Sequence, residues 1–463
     1  MRATYTTLIL FIFFLTTSTW AQKNTPLDPL DYLTNFEAVP AEDGVLNLIL
    51  HRGTGEVVLH LLDENLEKVH ESHYNTTPGI NDYIIKVKNG KVYILLSWLS
   101  NHHYKKELLE YSIQDRNLHA HFIGASQVHK PTDFLVFEES FAIIGQQKDP
   151  IIQVYGFDPS NPFRNTIFLP EKKIWHISDA DNSISLLTSP KGNHQILEWQ
   201  QYLPDGKFAG QMRLDTDFRN KDIVTASLVI DSNNNPRVIG TTGEKKLKRY
   251  HAFFHWVMDN DNRQAFSIIE PQSLAERNNG LDRKQRKQLN YERKKGFNQV
   301  EILAENDGDI LVASIPGKPV SRHENIYKKQ MAHFLRLDSK GEKVWDKVVA
   351  FDYTTRYRLN EHNYRRETFT FLIGDDLYFG HKDNIRKEDS QIVNIFRINE
   401  MGEMTNFTQE LPSGLQYGVK HLTFNEIIFY NESPLFQGAD PPLDYFMGKL
   451  KIQEPYSNLS NKN

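Results

Sequence analysis

The chain has 463 residues, no cysteine, and 54 basic against 59 acidic side chains, for a formal charge of −5. Without cysteine there are no disulfides, thiolate zinc sites, cysteine nucleophiles or lipidated cysteine. The fold must rest on its hydrophobic core, which a chain of this length can build, and the lack of a basic excess argues against nucleic acid as a partner.

Residues 1–21 carry a single charge, Arg2, then the apolar run Leu8 to Leu15, and close on Thr19-Trp20-Ala21. This is the pattern of a secretory signal peptide cleaved after Ala21. No later apolar stretch reaches the roughly 20 residues of a membrane span, so no transmembrane segment is expected. The expectation is a secreted or periplasmic protein, and the absence of cysteine favours a bacterial setting.

From residue 22 to 455 the chain reads as one domain, followed by a polar tail over 456–463. Short β-branched and aromatic runs alternate with tight-turn signals. One set of signals reads Glu42-Asp43-Gly44, Lys88-Asn89-Gly90, Asn306-Asp307-Gly308 and Gly374-Asp375-Asp376. A second set follows about 20–35 residues later in each unit, as in Asp63-Glu64-Asn65, Pro204-Asp205-Gly206, Ser339-Lys340-Gly341 and Glu400-Met401-Gly402, which is hairpin chemistry. Units start near Phe36, Tyr83, Phe134, Ile174, Ile223, Val300, Phe369 and Val419. The last lacks a fourth strand, and Pro26 to Tyr32 is the natural candidate to supply it, because an open ring would leave a bare edge.

A repeat of about 40–55 residues with four strands per unit resembles a β-propeller repeat protein of a secreted bacterial type. The resemblance implies an all-β fold of eight four-stranded blades, or alternatively seven. One departure is expected, a helical insertion over 273–296 containing Arg283-Lys284-Gln285-Arg286-Lys287.

The longer connections fall between the second and third strands of a unit and between units, which a propeller places on one face. Loops on a rigid scaffold concentrate binding residues. The expected ligand-binding set is His102, His103, Tyr104, Lys105, Arg249, Tyr250, Arg322, His323, Tyr327, Arg358, Tyr364, Arg366, His381 and Arg386. Arginine and lysine pair with carboxylate or sulfate, and tyrosine and histidine supply stacking. An anionic ligand such as an acidic polysaccharide, or an envelope protein, is the expected partner.

Three functions remain open. The first is a binding propeller with no chemistry of its own. The second is a lyase acting on uronate-containing polysaccharide, with His103, Tyr104, His323 and Arg358 as candidate catalytic groups. Arginine would neutralise the carboxylate while histidine or tyrosine moves the proton beside it. The third is a structural subunit of an envelope assembly. No cofactor is expected, and His102-His103 are not expected to bind metal, because neighbours on an extended chain point to opposite sides.

Overall fold

The computed structural model describes residues 25–27, 34–41, 44–269, 283, 299–355, 368–383, 391–411, 417–431 and 445–451, less short stretches inside these ranges. The leader, the tail and the insertion at 273–296, apart from an exposed helical Arg283, lie outside the described residues. Among the described residues there is almost no helix.

The short apolar runs pair with their sequence neighbours into antiparallel meanders. Middle strands are buried on both faces, as in Ser140–Gly145 and Ile151–Gly156. Fourth strands alternate between exposed and half-buried positions, as in Phe208–Arg213. This division explains the composition: continuous apolar runs where both faces are covered, alternation where one face meets water.

By internal contacts the chain divides into two compact units. The larger comprises Arg52–Gly55 and Asn75–Ser413. It holds six blades in chain order, over residues 80–125, 133–168, 172–213, 222–269, 299–355 and 368–411. Each is built on a four-stranded antiparallel meander, and the fifth adds a short strand, Pro319–Ser321, beside its third. The first strands approach their neighbours: Ile80–Lys88 meets Asp133–Val136, and Lys172–Ser178 meets Asp222–Ile230. They are therefore the inner strands of a β-propeller.

The smaller unit comprises Met1–His51, Glu56–Tyr74 and Gly414–Asn463 and holds two sheets. One is Thr34–Ala41, Gly44–His51, Glu56–Leu62 and Lys68–Asn75. In the other, Thr25–Leu27 pairs with Tyr445–Lys451 and completes a sheet whose remaining strands come from the far end of the chain. The missing fourth strand thus comes from the N-terminal side, starting one residue before the expected Pro26.

The blade count is a correction. Six blades stand in the propeller unit where eight, or seven, were expected. Turn spacing counts hairpins, whereas membership of a compact unit depends on side-chain contacts between sheets, which no turn signal encodes.

The apolar core lies between blades. One cluster joins Leu135, Ile152 and Ile167 of the second blade to Ile174, Ile184 and Tyr202 of the third. Another joins Phe334 and Trp345 of the fifth to Phe379 and Phe396 of the sixth. The turn between the third and fourth strands adds a second contact. Gly206, Gly341 and Gly402 occupy the same turn position with φ of +82°, +81° and +77°. A Cβ at these glycines would meet the preceding blade: Asn165 at 2.8 Å, His255 Nδ1 at 1.8 Å and Trp345 at 2.9 Å, respectively. The glycine serves both the left-handed backbone and the close approach.

Candidate functional site

The third strand of the first blade, His103–Ser112, begins on the face where long connections emerge. Its register sets His103 opposite Ser100, Tyr104 opposite Leu99 and Lys105 opposite Trp98. His103 is exposed, Tyr104 and Lys105 are half-buried, and Lys106 is fully buried. Strand alternation places Tyr104 and Lys106 on one side, His103 and Lys105 on the other.

Lys106 runs beneath Tyr104, its Nζ 5.8 Å from the ring centroid, and donates to the Val128 carbonyl. Burial pulls its ammonium down to about 8, because a charge removed from water favours the neutral form. The imidazole of exposed His129 stacks on Tyr104, with centroids 5.2 Å apart and planes 17° from parallel.

The crossover bearing His129 is fixed to the second blade by Gln153. The Gln153 Oε1 accepts from Ser126 Oγ at 2.7 Å, Gln127 N at 3.0 Å and Tyr155 Oη at 3.1 Å. On the other flank, Thr76 Oγ1 donates to buried Glu107 at 2.8 Å. An aromatic pair is thereby held on a rigid mount at the blade end.

Other expected residues fall into three groups. Arg249 and Tyr250 open the third strand of the fourth blade, and Tyr327 stands second in the third strand of the fifth. The backbone positions of Arg249 and Tyr250 match those of His103 and Tyr104, whereas Tyr327 pairs with Pro319 of the added strand. His381 ends up inside the sixth blade, 2% exposed, with its ring stacked on Phe396 at 5.9 Å. His102, Arg322, His323, Arg358, Tyr364, Arg366 and Arg386 lie outside the described residues.

Sequence reasoning passed over the inner strands. Lys86 of the first blade pairs with Asp133 of the second at 2.9 Å. His176 of the third stands close to both, and its packing, with Lys86 adding to the effect, pulls its imidazole down to about 4 against the opposing influence of Asp133. One step along, Lys88 donates to Asp179 Oδ2 at 2.5 Å and to the Val136 carbonyl at 2.6 Å. Lys88, Val136 and Asp179, unlike Lys86, Asp133 and His176, border a cavity of about 530 Å3 at the first hairpins of three successive blades, on the face opposite the long connections. The signal was present: lysines at 86 and 88 lie two apart on an inner strand that ends in Asn89-Gly90.

Repeated meanders with inner strands in mutual contact decide the architecture. The chain is a β-propeller repeat protein. No protein-family model and no curated protein matches it. Solved structures similar to this propeller are distant in sequence. The propeller domain of the trilobed protease from Pyrococcus furiosus is 9% identical, with 83% of this chain and 99% of that one covered and a TM-score of 0.39. The polysaccharide lyase Uly1 is 10% identical over 84% and 93%, with a TM-score of 0.39. A putative 6-phosphogluconolactonase from Bacteroides uniformis is 10% identical over 81% and 93%, with a TM-score of 0.41.

Proposed function

We propose that the protein is an exported binding propeller that takes an anionic ligand, an acidic glycan, on its long-connection face. The supporting observation is the Tyr104–His129 stack on its Gln153-braced crossover, with exposed Lys130 next to His129 in the chain, while His103 and Lys105 lie on the strand's other side. The outer face of the exposed His129 ring, held by its stack on Tyr104, can accept the C–H face of a sugar ring, and the adjacent cation attracts its carboxylate. The matching strand positions of Arg249 and Tyr250 extend the same chemistry to the fourth blade.

The test is calorimetric titration with uronate oligosaccharides, with absorbance of the unsaturated product followed in parallel. The expected result is binding that weakens with salt, falls about tenfold in Tyr104→Ala or His129→Ala, and proceeds without turnover. Turnover abolished by His103→Ala or Tyr104→Phe would replace this reading with the lyase. Recovery of the native chain only inside an envelope complex, with no glycan bound, would replace it with the structural subunit.

A further inference from the structure

The cavity on the opposite face has its own chemistry. Its wall combines the Lys88–Asp179 pair, the aromatic groups Tyr93 and Phe137, and the exposed side chains of Asn89 and Asn182. At about 530 Å3 it falls within the roughly 300–1,000 Å3 range of small-molecule sites.

We propose that this cavity binds an uncharged sugar. The cavity's two cations are already matched within the protein, Lys88 with Asp179 at 2.5 Å and Lys91 with Glu110 at 2.6 Å, and exposed Glu138 adds a negative charge to the lining. An anionic ligand would have to separate one of these pairs and would face Glu138 as well. A vicinal diol need not. An ammonium carries three protons, and Lys88 commits two of them, to Asp179 and to the Val136 carbonyl. A carboxylate offers about four acceptor sites. One sugar hydroxyl can accept from Lys88 while its neighbour donates to Asp179, leaving the ion pair intact.

The remaining lining groups fit the same class. Asn89 and Asn182 have φ of +52° and +51° at the turn tips, where each side-chain amide offers both a donor and an acceptor. Tyr93 and Phe137 are buried residues whose ring edges supply the apolar part of the wall. Lys88 lies 5.7 Å from the Phe137 ring centroid, which further fixes its ammonium.

The experiment is calorimetry on the full chain with methyl glucoside, maltose and cellobiose as uncharged probes and glucuronate as the charged one. At least one uncharged probe should bind the wild type more tightly than glucuronate. Asp179→Asn should weaken that binding about tenfold and raise affinity for glucuronate, because Lys88 is then uncompensated. Asn182→Gly keeps the left-handed backbone accessible and should weaken the uncharged probe as well. Thermal unfolding of both variants establishes that they fold. Tyr104→Ala should leave this binding unchanged, which separates it from the acidic-glycan reading. Failure of all three uncharged probes to bind, equal affinity in Asp179→Asn and Asn182→Gly, or tighter binding of glucuronate to the wild type would overturn the proposal.

Discussion

Two matched charge pairs in this protein have measurable consequences. His333 Nε2 and Asp346 Oδ1, on adjacent strands of the fifth blade, form a pair whose side chains are 0% and 1% exposed. Asp346→Ala would leave His333 without that partner in the interior and should cost about 3–5 kcal/mol in urea unfolding. Asp346→Asn, which keeps an acceptor, should cost less. A half-exposed counterpart occurs in the smaller unit. Lys68 and His73 hold Glu71 down to about 2 from 4.5, and Glu71 and Glu56 raise His73 above 6.5. The depressed Glu71 stabilises the fold above pH 4.5 and loses that effect as pH falls toward 2. The raised His73 contributes below 6.5 and loses its contribution as pH rises through its folded value. Solvent screening keeps the effect small. The melting-temperature deficit of His73→Gln should therefore be larger near about pH 5 than near about pH 8.

At the scale of elements, the turn between the third and fourth strands acts as a clasp between blades. In the fifth blade Asp338 Oδ1 accepts from Lys340 N and Glu342 N at 2.9 and 2.8 Å. In the sixth, Asn399 Oδ1 accepts from Met401 N and Glu403 N at 3.1 and 2.8 Å. The side chain holds the turn, and the glycine then touches the preceding blade. Gly341→Ala should cost at least about 1–2 kcal/mol from the left-handed backbone alone, with more from displacing buried His255. Gly374→Ala is the control. Its φ is +56°, but no atom lies within 4 Å of the added Cβ, so only the backbone cost should appear. Both are read by chemical denaturation. These turns were legible because Asp, Asn and Gly sit where the backbone demands them. Their contact with a neighbouring blade was not, since it joins residues such as Gly341 and His255 that are remote in sequence.

At the scale of the whole chain, one sheet of the smaller unit draws strands from both ends. Thr25–Leu27 pairs with Tyr445–Lys451 through Thr25 opposite Met447, Pro26 opposite Phe446 and Leu27 opposite Tyr445. Deleting residues 22–27 should bare that edge and speed amide exchange at 445–447, with exchange in residues 133–168 unchanged. Equal exchange before and after deletion would show that this pairing contributes nothing to protection.

The sequence by itself determined the strands, their hairpin order and the all-β propeller class, because turn residues and apolar alternation act over a few neighbouring positions. It also marked Tyr104 as a candidate, but the stack that gives it a geometry comes from His129, carried by a crossover that Gln153 fixes from the next blade. Only the tertiary structure decided that six blades form the larger unit and that His381 is enclosed. It alone brought Lys88 and Asp179 together at a cavity on the side without long connections. Those outcomes depend on distances between side chains far apart in sequence, set by packing across blades rather than by local pattern.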